Sequence, residues 1–251
     1  MGDIESCKIQ REYGRRVQVE HFLIRHAERT PFTDYQSFFT AKLTEQGREH
    51  ARKFGKDLRK ELYDYLVLRP HTSHVPRAIE TGIGIMHGIG ATITHNPVRT
   101  KESFFISITK ESKFWRSSIK SVNTDGCTVD FDSWFFDTPD GKLLLNSLTL
   151  PLLREINSVR RMASLLPNGN KRVAISIAHD LNIGALLYIL QHEEDRIETD
   201  RNITIGYMDG LRIKIIRNDE GLEMLYFYHQ KGNTEKEINV IMKNLARTDR
   251  A

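Results

Sequence analysis

The sequence predicts an α/β protein: a three-layer α/β/α sandwich with a mostly parallel central sheet, an antiparallel edge and a small inserted cap. Three observations predict it. Short apolar runs alternate with stretches of helical period, the pattern of strand–helix–strand units. That alternation occupies both ends of the chain, while an aromatic and lysine-rich stretch between them lacks it. Charged residues also collect just after three of the apolar runs, where open α/β sheets bind ligands.

The elements follow in order. Val17 to Ile24 alternates and then turns fully apolar, as a strand entering a core does. Thr44 opens a helix in which Ala51, Phe54, Leu58, Leu62 and Tyr65 recur at three- and four-residue steps. Leu66–Leu68 predicts a second strand, followed by Arg69 to His74. Pro76 fits the first turn of a helix over Arg77–Met86 that Gly88 can close. Ala91–Val98 is β-branched enough for a third strand. From Lys101 to Leu150, Phe104, Phe105, Phe114, Trp115, Trp134, Phe135 and Phe136 mix with basic residues and turn pairs, which reads as a cap. Helical period returns over Pro151–Leu166. Arg172–Ala178 is a buried strand ending in His179-Asp180, and Leu181–Leu190 a helix packed beneath it. Tyr207–Ile216 and Gly221–His229 predict a hairpin at the sheet edge, and Lys236–Ala246 a terminal helix. The expected organisation is a polar tail over 1–15, a core over 16–98 and 170–251, and a cap over 99–169 leading into a core helix.

Composition bounds the function. With 39% hydrophobic and 28% charged residues in 251, the chain can bury a sizeable core and is not compositionally disordered. The 37 Lys and Arg are interleaved with 33 Asp and Glu, for a net charge of +4. Such a balance suits a small anionic molecule, not nucleic acid, as the partner. Two cysteines, Cys7 and Cys127, allow one disulfide at most and point to a reducing compartment. Met1–Arg15 lacks an apolar signal region and no window nears about 18 apolar residues. A cytoplasmic protein with no membrane partner is therefore expected.

Three clusters carry the chemistry: Arg25, His26 and Arg29 after the first strand, Arg77 after the second, His179 and Asp180 after the fifth. A phosphomonoester has nearly two negative charges and three peripheral oxygens, which guanidinium groups grip in bidentate fashion. Neutral imidazole is abundant near neutral pH, so His26 is the candidate nucleophile, and the phosphoramidate it forms is readily hydrolysed. A carboxyl beside the second histidine can protonate a leaving alkoxide. Plainer readings stand beside these. Asp180 can cap the helix that starts at Leu181, and Arg77 can be a solvated helix residue. Glu28 and Glu45 read as surface or supporting charges, and His21 as a packed core histidine. Lys101, Lys110, Lys113, Arg116 and Lys120 either attract polyanions or form a solvated face.

Competing motifs fail. His71 and His74 could join His179 on a metal, but no further ligands follow at fixed spacing, so neither metal nor cofactor is expected. Gly82-Ile83-Gly84 begins a dinucleotide fingerprint, yet His87 stands where its third glycine belongs. Neither cysteine has an arginine six positions later, and neither a Gly-x-Ser-x-Gly elbow nor a Walker loop occurs. Asp130-Phe131-Asp132 has only Cys127–Val129 before it, and Trp134 where a small β-branched residue belongs.

Arg25-His26-Ala27-Glu28-Arg29-Thr30-Pro31 resembles the Arg-His-Gly-x-Arg-x-Pro motif of the histidine phosphatase (phosphoglycerate mutase-like) superfamily, with Pro31 favouring its acid phosphatase branch. Ala178-His179-Asp180-Leu181-Asn182 is similar to that branch's His-Asp motif. Leu43 to Gly47 and Thr72 to Thr81 match further shared segments, so the resemblance covers about 17–90 and 170–190. It implies a phosphoglycerate mutase-like fold and a metal-independent phosphomonoester hydrolase. His26 is then the nucleophile, Arg25, Arg29, Arg77 and His179 the phosphate pocket, and Asp180 the proton donor. Two departures open alternatives. Ala27 replaces the family glycine, adding a methyl near the site and disfavouring positive φ; a phosphate-binding module without turnover is the resulting alternative. The Thr-Ser-x-x-x-Arg-Ala segment is similar to the mutase branch, where a glutamate elsewhere donates the proton; Glu102 is the corresponding candidate.

Overall fold

A computed structural model describes residues 17–31, 39–91, 98–101, 104, 119–123, 126–130, 138–192, 202–203, 205–218, 221–230 and 233–238. Strand β1 (Val17–Arg25) lies in the interior of an eight-stranded mixed sheet. On one side it runs parallel to β7 (Lys171–Ala178), which carries β2 (Leu66–Val67) and β3 (His71–Thr72), with β4 (Arg99–Thr100) beyond. On the other side β9 (Gly210–Asn218), β10 (Gly221–Gln230) and β11 (Asn233–Ile238) add antiparallel strands. A separate small sheet joins β5 (Ile119–Asn123) and β6 (Gly126–Asp130) to β8 (Asn202–Ile203).

Two faces, alternating along each strand, build two cores. Val19 and Leu23 of β1, Ala174 and Ala178 of β7, and Ile213 and Ile215 of β9 pack on α3 (Pro139–Leu165) and α4 (Asp180–His192) through Leu152, Ile156, Ile183 and Leu186. Phe22 and Ile24 of β1 with Val173, Ile175 and Ile177 of β7 pack on α1 (Glu45–Glu61) and α2 (Pro76–Ile89) through Ala51, Leu58, Ala78 and Ile85. Helices thus cover both faces, as the alternation of elements predicts.

Thr44 caps α1, its hydroxyl accepting from the Gly47 amide at 2.9 Å. Pro70, having no N–H, splits the second strand into β2 and β3; both pair with β7, and the Pro70 carbonyl accepts from the Arg99 amide. It is β3, not Leu66–Leu68, that leads to α2 and Arg77. Gly90, with φ 81°, closes α2, two residues beyond Gly88. Gly88 has another use: a Cβ there would lie 2.1 Å from the Arg52 carbonyl, so it lets α2 pack closely on α1.

Four expected elements differ. α3 begins at Pro139, capped by Thr138, and Pro151 lies inside it. Leu145, Leu148 and Leu152 extend the buried stripe back through the turn signal at Asp140-Gly141, and burial outweighs local propensity. The hairpin of β9 and β10 sits between β1 and β11 instead of at the edge, and 207–208 form a turn before it. Lys236–Ile238 belong to edge strand β11, where charged residues suit an edge; 239–246 lie outside the described residues. Of the expected third strand over Ala91–Val98, residues 92–97 lie outside the described set, and β4 begins at Arg99.

The α1–α2 contact gives a test. A methyl on Gly55 would meet the Ile85 carbonyl at 2.1 Å, whereas nothing lies within 4 Å of one on Gly90. Gly55→Ala is expected to lower unfolding free energy by about 3 kcal/mol in urea titrations, the upper end for overpacking. Gly90→Ala, strained only by its φ, should lose about 1 kcal/mol. Equal losses would contradict this packing.

Candidate active site

The parallel register brings the site together. Arg25 is level with Ala178, and Thr72 with Ile177, so the residues leaving β1, β7 and β3 emerge side by side. Backbone bonds continue this alignment past the strand ends: the His26 amide donates to the Ala178 carbonyl at 3.2 Å, and that of Ser73 to the Ile177 carbonyl at 3.0 Å.

His26 is buried, and its two ring nitrogens have different partners. Nδ1 lies 2.8 Å from the Ala27 carbonyl, so Nδ1 carries the proton. Nε2 therefore presents its lone pair, which accepts from Arg77 Nε–H at 3.1 Å. Burial, then Arg77, His179 and Arg25, hold His26 well below the ordinary histidine pKa. The ring is neutral at neutral pH. His179 stands 5.2 Å from it, centroid to centroid, with Nε2 bonded to the Ser73 hydroxyl at 2.8 Å. Burial and the same two arginines push His179 down as well. Burial, then Arg29 and Arg25 against the opposing pull of Asp180, lower Arg77 to about 9.

Arg25 is 1% exposed. Its Nη1 donates to the Ile205 carbonyl at 2.6 Å, its Nη2 is 3.4 Å from Asp180 Oδ2, and its guanidinium lies 4.1 Å from the centre of the Tyr207 ring. Asp180 is the first residue of α4, one position inside the helix rather than its cap, with Oδ1 accepting from the Leu181 amide at 3.0 Å and Oδ2 facing Arg25. Arg29 is half-buried and donates to the Thr30 carbonyl; it is close enough to Arg77 and His179 to act on both electrostatically. Ala27 is fully buried in the α1–α2 core without positive φ, and its amide donates to Thr81 Oγ1 at 3.0 Å.

All six predicted site residues, Arg25, His26, Arg29, Arg77, His179 and Asp180, therefore gather at one end of the sheet. Glu102, Lys110, Lys113 and Arg116 lie outside the described residues, as does Asp132; Lys120 lies on β5 and Asp130 on β6. Glu45 pairs with Arg48 and Arg52 on the surface of α1. Lys101 and His71 both engage Glu155 of α3, which is 3% exposed. His21 Nε2–H donates to Ser176 Oγ at 3.0 Å, and that hydroxyl donates on to Glu155. Among the described residues, no group of three metal-ligating side chains could hold an ion. Sequence reasoning missed the parts played by Tyr207, Thr81 and Ser73. Thr81 and Ser73 lie within the segment that resembles the superfamily, whereas Tyr207 has no local signal.

With this geometry established, residues 21–102 match the model of the histidine phosphatase superfamily (branch 1). Among solved structures, the chain is similar to a phosphoglycerate mutase from Bacillus anthracis str. Sterne, at 15% identity over 91% of this chain and 95% of that one, with TM-score 0.48. It is also similar to an ecdysone phosphate phosphatase from Bombix mori in complex with tungstate (14% identity, 84% and 91% covered, TM-score 0.42). A third is a phosphoserine phosphatase from Entamoeba histolytica in complex with 3-phosphoglyceric acid (13% identity, 86% and 98% covered, TM-score 0.46). No curated protein matches. No helix among the described residues is long and apolar enough to cross a membrane.

Burial of these groups sets a pH dependence. Burial, against the pull of Glu155 and with smaller contributions from His71 and Lys101, lowers His21 to about 4, and His26 and His179 are lowered too, so the unfolded chain takes up protons that the folded chain refuses. Their contribution is complete above about pH 6.5 and declines as pH falls below it. Glu155 follows at lower pH. Burial raises it, but hydrogen bonds from His71 and Lys101 outweigh burial and hold it at about 2, so its stabilisation is lost as pH falls from about 4.5. Urea unfolding should show stability declining from pH 7 to 5 and more steeply below 4.5; a flat profile from pH 7 to 5 would contradict these assignments.

Proposed function

We propose that this protein is a metal-independent phosphomonoester hydrolase that works through a phosphohistidine. One observation carries the reading: the Nδ1–H bond to the Ala27 carbonyl leaves the His26 Nε2 lone pair pointing at Arg77, beside His179 and Arg25. A small phosphomonoester dianion entering there displaces the Arg77–His26 bond and takes the arginines as partners for its peripheral oxygens.

The lone pair of Nε2 then forms a bond to phosphorus as the ester P–O bond breaks; Asp180, which takes up a proton from solvent when the dianion engages Arg25, passes it to the departing alkoxide. The phosphoimidazole keeps its Nδ1 proton, and the Ala27 carbonyl stabilises the positive charge that builds on the ring. Asp180, now a carboxylate, removes a proton from water, whose oxygen attacks phosphorus as the P–N bond breaks; phosphate leaves and neutral His26 is restored. General acid catalysis supplies ~10²- to 10⁴-fold. The larger share comes from fixed cations aimed at the phosphoryl oxygens, whose field is strong in a buried site. Ala27 does not obstruct this scheme, because its methyl is packed in the α1–α2 core and its backbone does not need positive φ.

In buffer containing EDTA, the wild type should hydrolyse an aryl phosphate, and His26→Ala should lose at least ~10³-fold of that rate. Comparable turnover by the two proteins would reject the nucleophile. Asp180→Asn is expected to lower kcat by ~10²-fold or more, with the larger loss on alkyl phosphates, whose leaving groups need the proton. An unchanged rate would transfer the acid role to Glu102, and phosphoryl transfer to an added alcohol in preference to water would identify a mutase.

A further inference from the structure

The turn before β9 has more order than a connection needs. Asp209 Oδ2 accepts from the Gly206 amide at 3.0 Å, and the Asp209 amide donates to the Gly206 carbonyl at 3.2 Å. A Cβ on Gly206 would lie 2.4 Å from that carboxylate, so a larger residue would displace the Asp209 side chain from this closure. Met208, inside the turn, has φ 67° and is the one non-glycine residue with positive φ among the described residues. For a bulky buried side chain that is strain, and strain of this kind persists where surrounding contacts over-determine it.

The strained turn is directed at one residue. The Ile205 carbonyl accepts from Arg25 Nη1, the Asp209 carbonyl accepts from the Arg25 amide at 2.9 Å, and the guanidinium carbon lies over the Tyr207 ring, 4.1 Å from its centre. Met208 itself packs in the same apolar cluster as Ala27, tying the turn to the loop that holds His26. Tyr207 is 8% exposed, and its ring is 5.8 Å from that of His26, tilted by 45°. Asp180 lies at the guanidinium edge, so the carbonyl and the carboxylate fix the fork in its plane while the aromatic face sets the plane itself.

We propose that Tyr207 is the positioning residue for Arg25: its ring, presented by the strained Ile205–Asp209 turn, holds the guanidinium plane in the orientation that receives the phosphate. This rests on the reading of the His26 pocket as a phosphate site. A guanidinium without that face could rotate about its long side chain toward Asp180, and its donors would no longer be directed at a phosphate beside His26. Arginine loses little freedom per bond only when its fork is pre-organised, and a buried aromatic face adds cation–π attraction.

Inorganic phosphate tests this without requiring turnover. By titration calorimetry at pH 7, Tyr207→Leu should weaken phosphate binding by about tenfold, while Tyr207→Phe, which keeps the ring, restores it to within about twofold. Arg25→Lys has no planar face to hold, so adding Tyr207→Leu to it should produce little further loss. Should the leucine variant not fold, Tyr207→Trp and Tyr207→Met make the same comparison of aromatic and aliphatic faces. Unaltered binding in the leucine or methionine variant, a loss in Phe equal to that in Leu, or additive losses with Arg25→Lys would each overturn the proposal. If the wild type fails to bind phosphate at all, the phosphate-site reading falls and this inference with it. If it binds phosphate without hydrolysing any ester, only the hydrolase reading falls.

Discussion

The parallel pairing of β1 with β7, in the register that sets Arg25 level with Ala178, is the constraint on which the rest of the molecule depends. A one-residue slip of β1 would reverse its faces, sending Phe22 and Ile24 away from α1 and α2 and breaking both cores. The same register places His26 and His179 next to each other, 5.2 Å apart, beyond the last ladder bonds. Apolar burial on the two faces therefore fixes the position of the polar residues that follow, and the site takes its precision from the core beneath it.

Concentrating cations in a buried place is unfavourable, and the surrounding structure shows how this is offset. Arg25 and Arg77 are each 1% exposed and lie close enough to depress the pKa values of both histidines. The Ile205 carbonyl and the Asp180 carboxylate take up part of Arg25's charge, and the guanidinium lies over a neutral aromatic ring. The histidines respond by remaining uncharged. For the proposed chemistry this serves two ends, since a neutral imidazole is the nucleophilic form and the remaining positive potential favours a dianion over a neutral ligand. A buried carboxylate, Glu155, pairs with Lys101 and hydrogen-bonds His71 beside β3, so the charge of Lys101 is met within the fold.

Parts of the molecule were legible in the residues for physical reasons, and other parts were not. β1, α1 and β7 were readable because each has a regular apolar period and a clear boundary: Thr44 before α1, His179-Asp180 after β7. The first half of α3 was obscured because Asp140-Gly141 and Pro151 are local turn and breaker signals, and they are overridden by a buried leucine stripe whose partners are far away in sequence. The end of the chain misled for a related reason, since alternating lysine and glutamate suit an exposed helix and an edge strand equally well; pairing with β10 decides for the strand over Lys236–Ile238.

At the site the division is similar. The sequence by itself determined which charged groups could act: Arg25, His26, Arg29, Arg77, His179 and Asp180 each follow an apolar strand or open a helix, and strand direction sends them to one edge. Only the tertiary structure decided how they are held. Which nitrogen of His26 is protonated depends on the Ala27 carbonyl, the orientation of Arg25 on Ile205 and Tyr207 some 180 residues away in the chain, and that of His179 on Ser73. Local sequence encodes residue type and strand polarity, which are properties of short segments. Hydrogen-bond partners and ring contacts between distant segments exist only after the sheet register has brought them together.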